Sequence, residues 1–349
     1  MREAGFYRKL GQGAVECFLC AHRCKVKPGK RGLCGVRENR EGTLYSLVYG
    51  RLVSASVDPI EKKPLFHYLP GTTSYSIATM GCNFRCLFCQ NYAISQPPRE
   101  GGGIAGSEVA PEAVVAEAER AGCASIAYTY VEPTIFLEYV LDVAVLARAR
   151  GLGNVLVSNG YLTGEAVCAL APVLDAANVD LKAFRDAFYR DNCGARLAPV
   201  LETLAAVKRL GVWLEVTTLV IPGLNDDPGE LGELAAFLVS LGPETPWHVS
   251  AFHPTYRLTD RPPTPAATLL AAREIGLAAG LRHVYVGNVR GAGGEDTACP
   301  RCGATLIERS GYSVRATGLA GTVCADCGEA MDGRFASGPT VRAPKGDRP

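Results

Sequence analysis

From residue 74 onward, short apolar segments alternate with longer segments of helical pattern, and few architectures accommodate that rhythm. The helical segments at 111–122 and 264–280 have proline near the start and glycine at the end, which is typical punctuation of helices. Strands are predicted at 74–79, 124–130, 154–159, 176–184, 212–221, 247–253 and 283–288. Strand–helix alternation predicts an α/β fold with a parallel sheet. Six or seven such units favour a full or partial α/β barrel over an open doubly wound sheet.

The cysteines are the next informative feature of the sequence. The chain has 349 residues and 14 cysteines, and most of these cysteines are clustered. Only Cys123, Cys168 and Cys193 stand alone. The three clusters are Cys17, Cys20, Cys24 and Cys34, then Cys82, Cys86 and Cys89, and finally Cys299, Cys302, Cys324 and Cys327. Disulfide scaffolds belong mainly to short secreted chains, whereas tight clusters in a long chain indicate metal ligation.

The central cluster lies in the sequence "GCNFRCLFCQN", directly after the first predicted barrel strand. The carboxyl ends of barrel strands face the active site. A [4Fe–4S] cluster normally takes four cysteine thiolates, so Cys82, Cys86 and Cys89 would leave one iron without a protein ligand. An open metal position is typical of catalysis, as at zinc sites. The alternative is a structural zinc site.

This C-x3-C-x2-C spacing, after the first strand of a parallel α/β barrel, resembles that of the radical S-adenosylmethionine (SAM) superfamily. The resemblance implies a partial (β/α)6-type TIM barrel and a [4Fe–4S] cluster on Cys82, Cys86 and Cys89. It also implies SAM as the cosubstrate of an oxidoreductase-like enzyme. Reductive cleavage of SAM would give a 5′-deoxyadenosyl radical, which abstracts a hydrogen atom from a substrate that the sequence does not identify.

The same resemblance assigns further residues to the cofactor site. Phe88 would pack near the adenine, and Tyr130 and Glu132 lie in "YTYVEPT", where the superfamily has a turn under the amino group of SAM. Ser158 and Asn159 end the third predicted strand, where ribose hydroxyls need partners. For these positions the alternatives are an ordinary strand end before a helix-starting proline and an ordinary turn.

Asp180 and Lys182 are separated by one residue in a predicted strand, so both side chains point to the same face. Charges inside a barrel are costly unless they are paired or used. The pair resembles the Asp-x-Lys of pyruvate formate-lyase activating enzyme, and a plain buried ion pair is the alternative. The resemblance also places His253 and Asn288 at the cofactor, and a satisfied core histidine is the alternative for His253. Thr217 replaces an arginine of that enzyme.

Over nearly its whole length the chain is similar to the AmmeMemoRadiSam radical enzymes. The similarity covers residues 17–37, 58–67, 127–136, 219–226, 252–254, 261–265 and 285–289, together with the central cysteine loop. It implies Memo-like and Ammecr-like partners, and SAM cleavage requires a flavodoxin-like or ferredoxin-like electron donor. The radical would either be passed to a glycine of a partner protein or act directly on a substrate. The alternative from another class is a non-catalytic metal-binding scaffold.

The two outer cysteine clusters flank the predicted barrel. The C-terminal cluster consists of two C-x2-C knuckles, Cys299 with Cys302 and Cys324 with Cys327. This pattern predicts a zinc ribbon, and rubredoxin-like iron is the alternative. The N-terminal set is compatible with zinc or with a second iron–sulfur cluster, and His22 could replace one cysteine. The spacing does not decide between them, and zinc is marginally preferred.

These patterns divide the chain into four parts. They are a cysteine-rich metal module with a hairpin over 43–57 (residues 1–73), the barrel (74–290), the zinc-ribbon-like module (291–333) and a disordered tail (334–349). Lys62, Lys63 and His67 would either cover the active site or form a solvated loop. Cys193, near the barrel mouth, would donate a hydrogen atom to a radical or be a semi-exposed spectator.

Charge and hydropathy indicate which classes of partner and which location to expect. The formal net charge of +1 provides no global field for nucleic acid or acidic membranes, so neither is predicted as a partner. We find no apolar run long enough for a transmembrane helix and no secretory signal at the N-terminus. The expected location is the cytoplasm.

Overall fold

An eight-stranded sheet forms the centre of the computed structural model, which describes residues 1–335. The strands are β1 (Ser54–Pro59), β2 (Thr73–Ala78), β3 (Ser125–Tyr128), β4 (Gly153–Ser158), β5 (Ala176–Asp180), β6 (Trp213–Val220), β7 (Trp247–Ala251) and β8 (Val284–Gly287). Strands β2 to β8 run parallel in chain order, and β1 pairs antiparallel with β2. All seven predicted strands are present, and β1 is an addition at the sheet edge.

Six helices follow the parallel strands in turn and pack on one face of the sheet. They are α1 (Pro111–Arg120), α2 (Leu137–Ala149), α3 (Gly164–Leu170), α4 (Ala198–Arg209), α5 (Pro228–Leu241) and α6 (Ala266–Ala278). Thr163 and Asp227 cap α3 and α5 by accepting backbone N–H groups through their side chains. The prediction of a partial barrel of six βα units is confirmed. Within residues 1–335 the edge strands β1 and β8 do not pair with each other.

The inner face of the sheet carries polar side chains, although strands covered on both faces are usually apolar throughout. Ser76, Asn178, Glu215 and His248 are all buried and lie on β2, β5, β6 and β7. Thr217 on β6 donates a hydrogen bond of 2.9 Å to the Asn178 side chain on β5. The barrel interior is therefore built to hold polar groups.

The segment 60–69 closes the barrel at the amino ends of its strands. Glu215 accepts the backbone N–H groups of Phe66 and His67 at 2.9 and 2.8 Å. Lys63 and His67 are fully buried, whereas Lys62 is partly exposed. Both predicted alternatives were wrong for Lys63 and His67, whereas Lys62 lies at the surface. The prolines and apolar residues of this segment form a plug opposite the active-site end rather than a lid or a solvated loop.

The residues before β1 form two small three-stranded sheets. One consists of Arg2–Glu3, Thr43–Ser46 and Arg37–Arg40, and the other of Tyr7–Lys9, Val15–Cys17 and Lys25–Val26. The predicted hairpin over 43–57 was wrong. Thr43–Ser46 pairs with Arg37–Arg40, Arg51–Leu52 pairs with Ser107–Glu108, and β1 pairs with β2. The alternating pattern indicated strands correctly, but local alternation does not specify which strands pair.

The C-terminal cysteine module docks on the plug. Its strands are Thr297–Ala298, Thr305–Ser310, Ser313–Ala316, Leu319–Ala320 and Val323–Cys324. Arg309 donates a hydrogen bond of 2.9 Å to the Phe66 carbonyl, and its guanidinium lies 4.1 Å from the Phe66 ring centre. Arg334, predicted to belong to a disordered tail, donates its N–H to the His67 carbonyl at 2.7 Å. Residues 336–349 of that predicted tail lie outside the described part of the chain.

The remaining helical segments are short. They are Gly11–Gly13, Ile60–Lys62, Tyr92–Ser95, Pro133–Phe136, Ala171–Val173, Asp186–Phe188 and Tyr189–Cys193. No helix among residues 1–335 combines the length and apolar character needed to cross a bilayer.

Candidate active site

The cysteine loop leaves the carboxyl end of β2 and is anchored to the loop that follows β5. The backbone N–H groups of Arg85 and Leu87 donate to the carbonyls of Cys193 and Asn192, each at 2.9 Å. On the other side of the loop, the N–H of Arg257 donates to the Leu87 carbonyl at 2.9 Å. Neighbouring strand ends therefore fix the backbone that presents the three thiols.

The three thiols lie in different surroundings. The Cys82 sulfur accepts the backbone N–H of Phe84 at 3.3 Å, and the Cys89 sulfur lies 3.3 Å from the Ser95 hydroxyl. Burial raises the pKa of Cys82 and of Cys89. The pKa of Cys86 is lowered, chiefly because the Cys193 thiol hydrogen-bonds to it. Three thiols on one loop could each bind a different iron atom of a [4Fe–4S] cluster.

Cys193 lies behind this loop rather than at an open mouth. It ends the π-helical turn Tyr189–Cys193, has no exposed surface and faces Cys86. It is therefore not semi-exposed, as the spectator interpretation assumed. The prediction missed this because the turn folds inward beneath the cysteine loop. Its role as a hydrogen-atom donor stays a prediction.

Glu132 joins the ends of β3 and β4. Its carboxylate is buried and accepts hydrogen bonds from the Ser158 hydroxyl and from the backbone N–H of Asn159, both at 2.8 Å. It also accepts the N–H of Thr134 at 3.0 Å and thereby caps the short helix that follows. Burial raises the pKa of Glu132 despite these bonds. The three predicted residues Glu132, Ser158 and Asn159 therefore form one network.

Asn83 connects that network to the cysteine loop, and the sequence analysis missed it. Its side-chain oxygen accepts a hydrogen bond of 2.8 Å from the Asn159 amide. Its backbone carbonyl accepts a bond of 2.9 Å from the His22 ring. The sequence did offer a signal for Asn83, because a polar residue directly after Cys82 can reach the ends of neighbouring strands.

Asp180 and Lys182 lie at the end of β5 and face the interior together. The Lys182 ammonium donates to the Asp180 carboxylate at 2.8 Å, and the Lys182 side chain is 13% exposed. Burial lowers the pKa of Lys182, but Asp180 and the nearby thiol of Cys86 more than offset this and raise the pKa well above its ordinary value. A permanent cation therefore lies beside the cysteine loop.

Phe88 is buried between the cysteine loop and the loop after β5. Its ring centre lies 5.9 Å from that of Phe188, and the Lys182 ammonium lies 5.8 Å from the Phe88 ring centre. This ring therefore forms part of the wall beside the Asp180–Lys182 pair.

His253 and Asn288 lie next to each other just beyond the ends of β7 and β8. The His253 ring is 3.3 Å from the Asn288 carbonyl, and the Asn288 amide donates to the Ala251 carbonyl at 2.7 Å. Both side chains are exposed. Asn288 has a positive φ of 59°, a conformation that asparagine tolerates.

Tyr130 turns into the barrel and away from the cysteine loop. Its φ is 64°, and its hydroxyl donates to the Asp58 carboxylate on β1. Lys63 donates to the same carboxylate at 2.7 Å and lies 4.5 Å from the Tyr130 ring centre. Asp58 and Lys63 were not predicted as site residues. The charged pair in "DPIEKKPLFH" was the available signal, and its pairing with Tyr130 was not readable from the sequence.

The other cysteine clusters differ in geometry. In the C-terminal module, the sulfurs of Cys299 and Cys327 are 3.6 Å apart, and those of Cys302 and Cys324 are 3.7 Å apart. A tetrahedral zinc with Zn–S bonds of about 2.3 Å requires sulfur separations of about 3.8 Å. The N-terminal cysteines line a separate cavity beside the Glu132 turn.

Comparison with known sequences gives two findings. The model of the radical SAM superfamily matches residues 76–235. An uncharacterized protein of Methanocaldococcus jannaschii is 49% identical over 336 residues, which cover 95% of this chain and 99% of that protein.

Two named enzymes share shorter regions with the chain. A probable GTP 3′,8-cyclase of Thermococcus kodakarensis is 31% identical over 171 residues, 47% of this chain and 52% of that enzyme. An isethionate sulfite-lyase activating enzyme of Nitratidesulfovibrio vulgaris is 28% identical over 113 residues, 32% of this chain and 37% of that enzyme. The matched regions thus span about half of the first enzyme and about a third of the second.

Proposed function

The chain belongs to the radical SAM superfamily, and from that premise we propose that it cleaves SAM reductively and abstracts a hydrogen atom from a substrate. Cys82, Cys86 and Cys89 would hold a [4Fe–4S] cluster that has one iron open to SAM. When bound, this cluster supplies the single electron that splits the sulfonium into methionine and the 5′-deoxyadenosyl radical. Membership of this family favours an enzyme over the alternative of a non-catalytic scaffold.

The Asp180–Lys182 pair would orient the methionine part of SAM. The Lys182 ammonium is mostly buried, so a carboxylate beside it would gain more from the charge than it would in water. Asp180 is about one-third exposed and can accept a hydrogen bond from an amino group. This pair also holds the Lys182 side chain in place before SAM arrives.

Ser158 and Asn159 would hold the nucleoside part of SAM, and Glu132 would keep both in position. The Glu132 carboxylate already accepts bonds from its own chain, so we assign it to positioning the ends of β3 and β4. Asn159 and Ser158 would present polar groups to the ribose. Phe88, His253 and Asn288 would border the adenine, and Tyr130 would line the interior beyond it.

The observation that carries this proposal is the location of the three-cysteine loop. The loop leaves the carboxyl end of the first parallel strand, and it meets the Glu132 network and the Asp180–Lys182 pair at the same end of the barrel. A cosubstrate bound to the open iron would therefore contact both.

The test is anaerobic reconstitution with iron and sulfide, reduction with dithionite and incubation with SAM. We expect 5′-deoxyadenosine by mass spectrometry in the wild type, and loss of the product in Cys86→Ala. The matched control is Cys168→Ala, which removes an exposed cysteine on α3 and should leave the product unchanged. Product that persists in Cys86→Ala would contradict the proposal.

A second candidate within this chemistry is activation of a glycyl-radical enzyme. It is favoured by the similarity to an activating enzyme, which covers 32% of this chain. The discriminating measurement is electron paramagnetic resonance after incubation with SAM, a reductant and a purified glycyl-radical enzyme as the candidate partner. A protein-based glycyl doublet would support activation, whereas 5′-deoxyadenosine without a doublet would favour a small molecule or a peptide as substrate.

Three further assignments belong to this proposal. Cys299, Cys302, Cys324 and Cys327 would hold one structural zinc, since their sulfur separations suit a tetrahedral zinc site. A flavodoxin-like or ferredoxin-like protein would supply the electron. Memo-like and Ammecr-like partners are proposed only on the sequence resemblance to the AmmeMemoRadiSam enzymes. Zinc analysis of Cys302→Ser, which should lose one zinc per chain, tests the first assignment.

A further inference from the structure

The N-terminal cysteines surround a cavity that the proposed SAM chemistry does not use. It is lined by Cys17, Cys20, Cys24 and Cys34, and its empty volume of about 340 Å³ includes space that is open to solvent. Cys17 and Cys34 are buried, and Cys20 and Cys24 are half-buried. Four thiols that line one cavity form a complete set of ligands for a metal ion or a cluster.

The spacing of these thiols differs from that of the C-terminal module. Within the described part of the chain, only the C-terminal set brings at least three candidate ligand atoms within 4.8 Å of one another. The N-terminal set is wider, and so is the Cys82–Cys86–Cys89 set. A single zinc ion draws its thiolates to about 3.8 Å from one another, given Zn–S bonds of about 2.3 Å. In a [4Fe–4S] cluster each thiolate binds a separate iron atom, so the thiolates lie farther apart. The wider spacing therefore favours a cluster.

A buried cation lies in the wall of the same cavity. Arg37 lines the cavity, and its side chain is 2% exposed. Its terminal nitrogens are paired with Glu138 and with the Gly5 carbonyl, whereas its Nε–H has no hydrogen-bond partner among residues 1–335. A buried donor without a partner is costly. An anionic group with sulfur acceptors in the cavity would satisfy this N–H donor.

The cavity adjoins the cysteine loop directly. A Cβ atom placed on Gly81, the residue before Cys82, would lie 3.2 Å from the Cys34 carbonyl oxygen. On the other side of Cys82, the His22 ring donates to the Asn83 carbonyl at 2.9 Å. No intervening element separates the two cysteine sets at these contacts.

We propose that Cys17, Cys20, Cys24 and Cys34 hold a second iron–sulfur cluster that carries single electrons to the SAM site. The carrier role depends on the proposed function, whereas the identity of the metal does not. In each turnover a reduced flavodoxin or ferredoxin loses one electron and the second cluster gains it. That electron then passes to the cluster on Cys82, Cys86 and Cys89, so the second cluster returns to its oxidised state. His22 lines the cavity and hydrogen-bonds to Asn83, so it connects the second cluster to the cysteine loop along the path of the electron.

The metal is tested in the full chain with Cys82, Cys86 and Cys89 all replaced by alanine. After anaerobic reconstitution we expect about four irons per chain with matching sulfide, and a cluster signal in electron paramagnetic resonance after reduction. Zinc should stay at the one ion that we assign to the C-terminal module. Absence of iron together with a second zinc would overturn the proposal. If wild type still produces 5′-deoxyadenosine in that case, the proposed function stands without the second cluster.

The carrier role is tested with Cys24→Ser, because Cys24 is half-buried and serine preserves its shape. With reduced flavodoxin as donor, we expect formation of 5′-deoxyadenosine to fall by about tenfold or more, which corresponds to about 1.4 kcal/mol in the barrier. With titanium(III) citrate, a small reductant able to reach the SAM site directly, the rate should change by less than about twofold, or below 0.5 kcal/mol. Equal changes with both reductants, or no change with either, would overturn the carrier role. Cys168→Ser is the matched control.

Discussion

Lys63 is a lysine whose burial outweighs the attraction of its carboxylate partner. It is 1% exposed beside Asp58, and burial lowers its pKa from the ordinary 10.5 to about 8. The unfolded chain therefore binds more protons than the folded chain between these two values. The free energy of unfolding should accordingly rise as the pH increases from about 8 to about 10.5, by about 3 kcal/mol in total.

Lys63→Met should abolish this rise, because methionine does not titrate. Urea unfolding of anaerobic samples at pH 7.5, 8.5 and 9.5 measures the difference from wild type. Lys62→Met is the matched control. Lys62 donates to the same carboxylate but is 40% exposed, and its pKa is raised chiefly by the hydrogen bond to Asp58. The control should keep the rise, and a Lys63→Met curve parallel to wild type would contradict this account.

Glu132 joins the ends of β3 and β4, beside the proposed SAM site, through hydrogen bonds that only a carboxylate can accept together. Glutamine would turn one acceptor oxygen into a donor facing the Asn159 N–H or the Ser158 hydroxyl. We expect Glu132→Gln to weaken SAM binding by about tenfold, which corresponds to about 1.4 kcal/mol. Isothermal titration on the reconstituted protein measures this. Glu165→Gln, at an exposed carboxylate on α3, should bind normally, and equal affinities in the two variants would contradict the positioning role.

At the scale of elements, the cysteine loop depends on its close approach to the N-terminal module. Gly81 has a φ of 101°, and an added Cβ would lie 2.7 Å from Val36 Cγ1. Gly81→Ala should therefore lower the free energy of unfolding by about 2 kcal/mol or more and reduce iron loading. Gly122→Ala is the control for backbone strain alone, since its φ is also positive but its Cβ would meet open space. Similar losses in both variants would show that the close approach is unimportant.

The sequence predicted those elements whose periodicity is local. The seven parallel strands and the helices between them are present close to their predicted positions, because hydrophobic rhythm and helix punctuation are read within one segment. The hairpin over 43–57 failed for the opposite reason. The partner of β1 is β2, and the partner of Thr43–Ser46 precedes it in the chain. Strand pairing depends on the tertiary structure, and the alternation of apolar and polar residues alone does not predict it.

The same distinction holds for the candidate site. The spacing of Cys82, Cys86 and Cys89 and the pair Asp180–Lys182 were readable because each set is close in sequence. Tyr130 contacts Asp58, 72 residues away, and Cys193 contacts the cysteine loop, more than 100 residues away. No local pattern reports such contacts. The sequence analysis therefore did not predict either of these two contacts.

At the scale of the whole molecule, Arg309 secures the C-terminal module to the barrel. Its buried guanidinium donates to the Phe66 carbonyl and the Thr297 hydroxyl and lies over the Phe66 ring. Arg309→Met should lower the free energy of unfolding by about 2 kcal/mol, because hydrogen bonds to a charged group are lost from a buried site. Chemical unfolding measures this value. Arg315→Met, at a side chain that is 73% exposed, should change stability by less than about 0.5 kcal/mol.

The plug at residues 60–69 has a consequence for the order of folding. Its His67 ring hydrogen-bonds to Tyr285 on the last strand and to the Asp332 carbonyl near the end of the described chain. These contacts join parts that are synthesised early and late. We expect a nascent chain to leave the floor of its barrel unsealed until its last segments emerge from the ribosome. A truncation after residue 290 would keep the contacts of the plug to Glu215 and Tyr285 but would permanently lack those to Asp332 and Arg309.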